Sequence, residues 1–173
     1  MRSRFRLLML AMGACLCLLS TSVQSAERRY KVEAALLYSF FNYITWPGYD
    51  TPQALHDPVI CVYGQDPILG YLDYVRLKIA SERKLSVRTV LDNEGLAGCH
   101  ILFLRHRLPY RLMESLPRET LTVFKPDDPL DRGGMIELAQ DMERIAIRVN
   151  QSQLERQGFQ TSSRLLELAQ KVR

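Results

Sequence analysis

Apolar residues recur along this chain at two spacings, one typical of helices and the other typical of strands. Between residues 27 and 45 they form two neighbouring rows with a spacing of three or four positions, which is the spacing of a helix face. The first row is Tyr30, Ala34, Leu37, Phe41 and Ile44, and the second is Leu36, Phe40 and Tyr43. A helix is therefore predicted over 27–45, buried on more than one side. Trp46 and Pro47 end it, because the residue before a proline avoids the helical region.

Short apolar runs in the next part of the chain predict the strands of a sheet. These runs are 59–63, 85–91, 101–104 and 121–124. Most of them are continuously apolar, as in strands buried on both faces, whereas 85–91 alternates and predicts one solvated face. A helix is predicted after the first strand, with Asp66 as its N-cap and Pro67 in its first position, and a short one over 109–116.

The last third of the chain predicts a hairpin followed by two helices. Residues 135–138 and 145–149 read as paired strands. Asn150 caps a brief helix in a capping-box pattern with Gln153, and Gly158 closes it. The last helix begins at Ser162 and Ser163, and its shared face is Leu165, Leu168, Ala169 and Val172. The whole pattern predicts a single α/β domain with a largely parallel central sheet flanked by helices and an antiparallel hairpin near its C-terminal end.

The beginning of the chain has the pattern of a secretory signal peptide. Three arginines within residues 2–6 precede an apolar run over 7–19, and small and polar residues follow over 20–26. The apolar run is shorter than the about 20 residues that a membrane-spanning helix needs. The segment therefore predicts export and no membrane span in the mature chain.

Cleavage is expected after Ser25 or Ala26, which removes residues 1–25 and leaves residues 27–173 as the α/β domain in the periplasm. Two alternatives remain open. One is an uncleaved membrane anchor, and the other is a lipoprotein cut before Cys15.

Charge and cysteine content both change once this segment is removed. The complete chain has 23 Lys and Arg against 19 Asp and Glu residues, and the signal segment holds three of the arginines and no acid. The remaining charges nearly balance and form no basic run, so no nucleic-acid partner is expected. Cys61 and Cys99 are the cysteines that remain, an even pair in an exported protein. They predict a structural disulfide between neighbouring parallel strands, with two separate buried thiols as the alternative.

Candidate chemical sites are few. The three histidines, His56, His100 and His106, show no metal-ligand spacing, so neither a metal nor another cofactor is expected. The acidic cluster of Asp127, Asp128 and Asp131 favours a solvated turn.

A glycine-bounded segment over 64–70 follows a strand and precedes a helix, as phosphate loops do, but lacks the Gly-Lys-Ser/Thr ending. The aromatic residues around Trp46 favour core packing over a ligand platform. No convergent catalytic set is present, so we expect that the protein is not an enzyme.

Three groups of segments together resemble the YfiR-like family of exported proteins. They are 30–40 with 43–47, then 60–64 with 98–103, and then 133–136, 148–150 and 162–169. The resemblance covers nearly all of the mature chain. It implies a periplasmic repressor that binds the periplasmic sensor domain of a membrane-bound diguanylate cyclase and so limits cyclic di-GMP and biofilm formation. Some members of the family carry a second disulfide near the Gly-Gly hairpin, but this chain has no cysteine after Cys99, so a redox role for that bridge cannot be transferred.

The leading hypothesis is therefore a non-enzymatic periplasmic inhibitor of an inner-membrane signalling protein, most simply a diguanylate cyclase. A periplasmic small-molecule-binding protein is the second hypothesis, because an α/β sheet offers a crevice beyond the carboxyl ends of its strands. A small hydrolase is the third.

Partner-binding residues are expected in the C-terminal third, where Ile136, Leu154 and Phe159 are the candidates. For Phe159 the alternative is that it folds back onto its own helix after Gly158. A homodimer is also expected, because the two apolar rows of the 27–45 helix exceed what one sheet face usually covers. Complete burial of both rows within the monomer is the alternative.

Overall fold

Strands and helices alternate through the chain, as the apolar pattern predicts. A computed structural model describes residues 24–78, 83–91, 94–106, 115–125, 134–141 and 144–172. The helices in these ranges are α1 (residues 24–43), α2 (Ile68–Lys78), α3 (Gln151–Arg156) and α4 (Ser163–Leu168). The strands are β1 (Ile44–Thr45), β2 (Val59–Tyr63), β3 (Ser86–Val90), β4 (Ile101–Leu104), β5 (Leu121–Phe124), β6 (Ile136–Asp141), β7 (Arg144–Val149), β8 (Gln160–Thr161) and β9 (Ala169–Val172). Short 3-10 turns occur at Pro52–Ala54 and Glu94–Leu96.

Seven of these strands form one sheet in the order β3-β2-β4-β5-β6-β7-β9. The strands from β3 to β6 in this order are all parallel to one another. β6 and β7 form the antiparallel hairpin, and β9 then pairs parallel to β7. A separate antiparallel pair joins β1 to β8. The structure thus confirms the predicted fold class, a largely parallel α/β sheet with a hairpin near its C-terminal end.

The central strands of the sheet are buried on both faces. Ile60 and Phe103 belong to a large apolar cluster that also contains the inner side chains of α1. Their neighbours Cys61 and Leu102 belong to a second, smaller cluster on the opposite face. Because successive side chains of a strand point to opposite faces, this division explains why β2 and β4 are continuously apolar in sequence.

The local signals for helix starts are confirmed in detail. The Asp66 carboxylate accepts the Ile68 N–H at 2.8 Å, and the Ser162 hydroxyl accepts the Leu165 N–H at 3.4 Å. Asn150 accepts the Gln153 N–H at 3.0 Å. Its own N–H, however, donates to the Met135 carbonyl at 2.8 Å rather than to Gln153, so only half of the predicted capping box forms.

Two predicted helices end earlier than the apolar spacing suggests. The 27–45 prediction is wrong at its end, because α1 stops at residue 43 and Ile44 pairs with Thr161 in β1. The last helix stops at Leu168, and Ala169 begins β9, which pairs with Ile147. In both cases a partner distant in sequence supplies the backbone hydrogen bonds that the local pattern does not reveal.

Several predicted features lie wholly or largely outside the described residues. They are residues 1–23 of the predicted 1–25 signal segment, most of the 109–116 helix and the acidic cluster of Asp127, Asp128 and Asp131.

Candidate functional site

Buried charged side chains meet at the carboxyl edge of the parallel strands. Asp66 follows β2, Arg105 follows β4 and Lys125 follows β5. The carboxyl ends of parallel strands lie along one edge of a sheet. In this sheet the order of the strands reverses between β2 and β4, and ligands commonly bind at such a point in open α/β folds. Glu33 reaches the same place from α1. We call these four residues the carboxyl-edge ion network.

Arg105 is the centre of this network. Its guanidinium bonds both carboxylate oxygens of Asp66, with 3.0 Å between Nη2 and Oδ1, and Nη2 also donates to Glu33 Oε2 at 3.0 Å. Lys125 Nζ lies 2.5 Å from the other oxygen of Glu33. The side chain of Glu33 is fully buried and that of Asp66 is 3% exposed. Such burial is tolerated because each carboxylate faces a cation.

Aromatic rings lie against the same guanidinium. The Arg105 guanidinium carbon is 4.9 Å from the centre of the Tyr30 ring and 5.4 Å from that of Phe103, within the range of cation–π contacts. Tyr30 in turn stacks on Tyr71 of α2, with ring centres 5.4 Å apart. The network is therefore connected to both α1 and α2.

The electrostatics of the network favour a permanently charged Arg105. Burial alone lowers the pKa of Arg105, but its hydrogen bonds and charge interactions with Asp66 and Glu33 outweigh burial and raise that pKa above its usual value. A guanidinium held in this way neither gives nor takes a proton near neutral pH. We conclude that the arrangement fixes α1 to the sheet edge.

Sequence reasoning missed the network apart from Asp66, which it assigned only as a helix cap. A signal for it is present, since Glu33 stands directly beside Ala34 in the most apolar helix of the chain. A lone acid among apolar rows predicts a buried partner of opposite charge.

The amino edge of the sheet is organised by aromatic rings. Trp46 is 2% exposed, its ring lies 4.9 Å from that of Phe41 and 5.8 Å from that of Phe159, and its Nε1 donates to the His100 carbonyl at 3.2 Å. Trp46 is thus a core residue at the end of α1.

His100 completes this edge with a neutral ring. Its Nδ1 accepts the backbone N–H of Val59 at 3.1 Å, so the neutral ring carries its proton on Nε2. Burial lowers the pKa of His100 below its usual 6.5; the charge of Glu119 opposes this shift and that of Arg88 adds to it. Protonation of Nδ1 would break the bond to Val59.

The Cys61–Cys99 disulfide lies beside this edge. The two Cα atoms are 5.7 Å apart, and both residues are buried. Arg88 lies over the bridge, with Nη2 at 3.6 Å from Cys99 Sγ and 2.8 Å from the Ala97 carbonyl. The disulfide links β2 to the segment that leads into β4, the two neighbouring strands named in the sequence prediction.

The structure does not place the predicted partner-binding residues on the surface. Ile136 and Leu154 are fully buried and Phe159 is 1% exposed. The Phe159 N–H donates to the Leu154 carbonyl directly after Gly158, whose φ is +85°, so the fold-back alternative is the one observed. In this conformation all three side chains are part of the core.

Most residues of the two apolar rows of α1 are likewise covered within the monomer. Ala34, Leu37, Phe40 and Phe41 are fully buried in the main core. The predicted homodimer rested on unburied apolar surface of this helix, and that argument no longer supports it.

Exposed apolar side chains occur instead on α2. Tyr74 is 53% exposed and Leu77 is 76% exposed. The aromatic rim of the ion network, through Tyr71, leads directly onto this surface.

Other site types receive no support in the part of the chain that the structure describes. These residues hold no group of three or more His, Cys, Asp or Glu side chains arranged for a metal ion. Asp66, within the glycine-bounded 64–70 segment, is bonded to Arg105 and is not available to a ligand. Within the same described ranges, no helix has the length and apolarity needed to cross a bilayer.

Comparison with known proteins identifies the family. None of the curated proteins matches this sequence. A solved ABC domain in complex with L-Trp from Streptococcus pneumonia has 8% identity and a TM-score of 0.46 over 67% of this chain and 55% of its own, and so carries no argument about function. The YfiR/HmsC-like family (DUF4154) matches residues 30–170, from the first tyrosine of the ion-network rim to the start of β9. The chain therefore belongs to the YfiR/HmsC-like family, which is associated with periplasmic, non-catalytic regulation of diguanylate cyclase signalling.

Proposed function

We propose that this protein binds the periplasmic sensor domain of a membrane-bound diguanylate cyclase and inhibits the enzyme, thereby limiting cyclic di-GMP signalling. The observation that carries the proposal is the family match over residues 30–170. The signal-peptide pattern of residues 1–25 and the disulfide between Cys61 and Cys99 support a periplasmic location, where disulfides persist.

Inhibition from the periplasm requires that the protein distinguish two conformations of its partner. A ligand shifts a conformational equilibrium only by its difference in affinity for the two states. A regulator that binds the inactive sensor domain about 100-fold more tightly than the active one can shift the equilibrium by about 2.7 kcal/mol. No chemistry on the partner is needed, and a rigid binding surface is sufficient.

Deletion of the gene is the direct test. Cellular cyclic di-GMP should rise in the deletion strain and fall again when the wild-type gene is supplied. Unchanged cyclic di-GMP under several growth conditions would reject the proposal.

The location is tested separately. N-terminal sequencing of the protein from periplasmic extract should begin within a residue of Ala26 if cleavage follows Ser25 or Ala26. An intact Met1 in a membrane fraction would indicate an uncleaved anchor instead.

A further inference from the structure

The outer surface of α2 carries a stripe of residues that the monomer does not use. Gly70, Tyr74 and Leu77 follow one another at positions i, i+4 and i+7, so they lie along one side of the helix. All three are exposed, while Ile68 and Leu72 on the inner side of the same helix are fully buried. The helix therefore has one side fixed in the core and another that presents an aromatic and an aliphatic side chain to solvent.

Gly70 has no explanation within the monomer. A glycine inside a helix destabilises it relative to alanine. A Cβ atom placed on Gly70 would meet no atom within 4 Å, so no neighbour in this chain requires the missing side chain. A glycine at an exposed helical position does, however, allow the backbone of another molecule to approach closely.

Basic side chains flank the stripe. Lys78 Nζ lies 5.4 Å from the centre of the Tyr74 ring. Lys31 is exposed on α1 directly after Tyr30, whose ring stacks on Tyr71. Among the described residues of α1 and α2, the exposed charged side chains are four basic and two acidic. The basic ones are Arg28, Lys31, Arg76 and Lys78, and the acidic ones are Glu27 and Asp73. The rim of the stripe is therefore positive on balance.

This surface is connected to the buried ion network through stacked rings. Tyr71 stacks on Tyr30, and Tyr30 lies against Arg105 of the buried ion network. The α2 backbone thus needs little ordering when a partner binds, which reduces the entropic cost of association.

We propose that Gly70, Tyr74 and Leu77, with Lys31 and Lys78 at their rim, form a docking face for a protein surface with an apolar centre and acidic flanks. We call these five residues the α2 face. If the proposed function is correct, that surface belongs to the periplasmic sensor domain of the regulated cyclase. Exposed tyrosine surrounded by polar residues is the usual composition of an interface hot spot, and the basic rim would guide an acidic partner.

Anionic lipid is the other kind of surface that a basic and aromatic face can bind. Recognition of anionic lipid usually takes a cluster of about four to eight basic residues. Lys31 lies 2.6 Å from Glu27 and Arg76 lies 3.2 Å from Asp73, so among the described residues of α1 and α2 the excess positive charge comes from Arg28 and Lys78, which is too little for such a cluster. The structure therefore favours a protein partner. Cosedimentation with vesicles containing phosphatidylglycerol, lost in Leu77→Glu, would instead assign the face to the membrane and overturn the proposal.

Three variants test the face by binding to the purified periplasmic domain of the cyclase identified by the deletion experiment. Leu77→Glu should weaken binding by about 30-fold or more, because it places a charge in the apolar centre. Gly70→Ala should weaken it by about fivefold or more, because the added methyl group occupies the space of the closely approaching partner. Lys78→Glu should weaken binding at low salt and have a smaller effect at high salt.

The control is Leu168→Glu, which changes another exposed leucine, 58% exposed, on α4. It should bind as the wild type does. Gly70→Ala should also raise or preserve the melting temperature, so that weaker binding by this variant cannot be attributed to unfolding.

The outcomes separate this inference from the proposed function. If wild-type protein lowers cyclic di-GMP in the deletion strain and Leu77→Glu and Gly70→Ala do so equally well, the α2 face is rejected and the function stands. If the wild type itself neither binds nor represses the cyclase, the proposed function fails first.

Discussion

The two edges of the central sheet are held together by different physical means. At the carboxyl edge, Glu33, Asp66, Arg105 and Lys125 bury opposite charges against one another. At the amino edge, the stabilising contacts are stacked rings around Trp46, a neutral histidine and a disulfide, and they involve almost no charge. The difference teaches that an ion network depends on the presence of every member, whereas an apolar edge loses stability in proportion to what is removed.

Removal of Arg105, at the carboxyl edge, should lower the stability of the fold more than any other change considered for the two edges. Arg105→Met leaves Glu33 and Asp66 buried with less positive charge near them, and loss of one partner from such a pair costs about 3–5 kcal/mol. The free energy of unfolding, measured by urea denaturation, should fall by that amount.

Arg76→Met is the matched control for this variant. Arg76 pairs with Asp73 on the surface, where the two side chains are 45% and 55% exposed. Its loss should cost about 0–1 kcal/mol. Equal effects of the two variants would contradict the distinction between a buried network and a surface pair.

Removal of the disulfide should have the next largest effect, at the other edge. The bridge closes a loop between positions 38 apart, which on the chain-entropy account stabilises the fold by about 4 kcal/mol. The double variant Cys61→Ala/Cys99→Ala should therefore unfold at a lower urea concentration. Reduction of the wild type should reproduce the change, and an unchanged midpoint in both experiments would show that apolar packing alone holds this edge.

Protonation of His100 should have the smallest effect on the stability of the fold, and this effect should occur only as the pH falls. Burial lowers the pKa of His100 in the folded protein, so protonation favours the unfolded chain. The stability supplied by the neutral ring is present above about pH 6.5 and is lost as pH falls below that value.

The measurement is the melting temperature of the wild type and of His100→Gln between pH 7.5 and pH 5.5. The wild type should lose more stability over this range, because glutamine does not titrate. His56→Gln, a change at an exposed residue, should leave the wild-type slope unaltered. Parallel slopes for the wild type and His100→Gln would remove the histidine from the account of this edge.

Sequence patterns predicted features whose cause is local. The helix starts at Asp66, Asn150 and Ser162 depend on side chains that bond a backbone N–H two or three residues away, so a short window contains the whole cause. The continuous apolar runs of β2 and β4 likewise predict burial on both faces, and hence a parallel sheet.

Features with distant causes were not predictable in the same way. The burial of Leu154 is one such feature, because apolar spacing does not reveal which side of a helix the rest of the chain covers. The exposure of Tyr74 and Leu77 could not be predicted either, because apolar residues in a helix are expected to be buried. The four-residue ion network needs three strand ends and one helix to meet, which no window of sequence contains.

The antiparallel pairing of β1 with β8 has a consequence for the order in which the chain folds. The first helix ends at β1, but the strand that holds β1 in place, and the Lys125 and Arg105 partners of Glu33, come much later in the sequence. Contacts between such distant parts of a chain slow folding. Helix α1 would thus be made early, with both apolar rows uncovered, and would stay a target for proteases and a site for aggregation until the last residues arrive. For an exported protein, this dependence would allow the chain to cross a membrane unfolded and to close only on the far side.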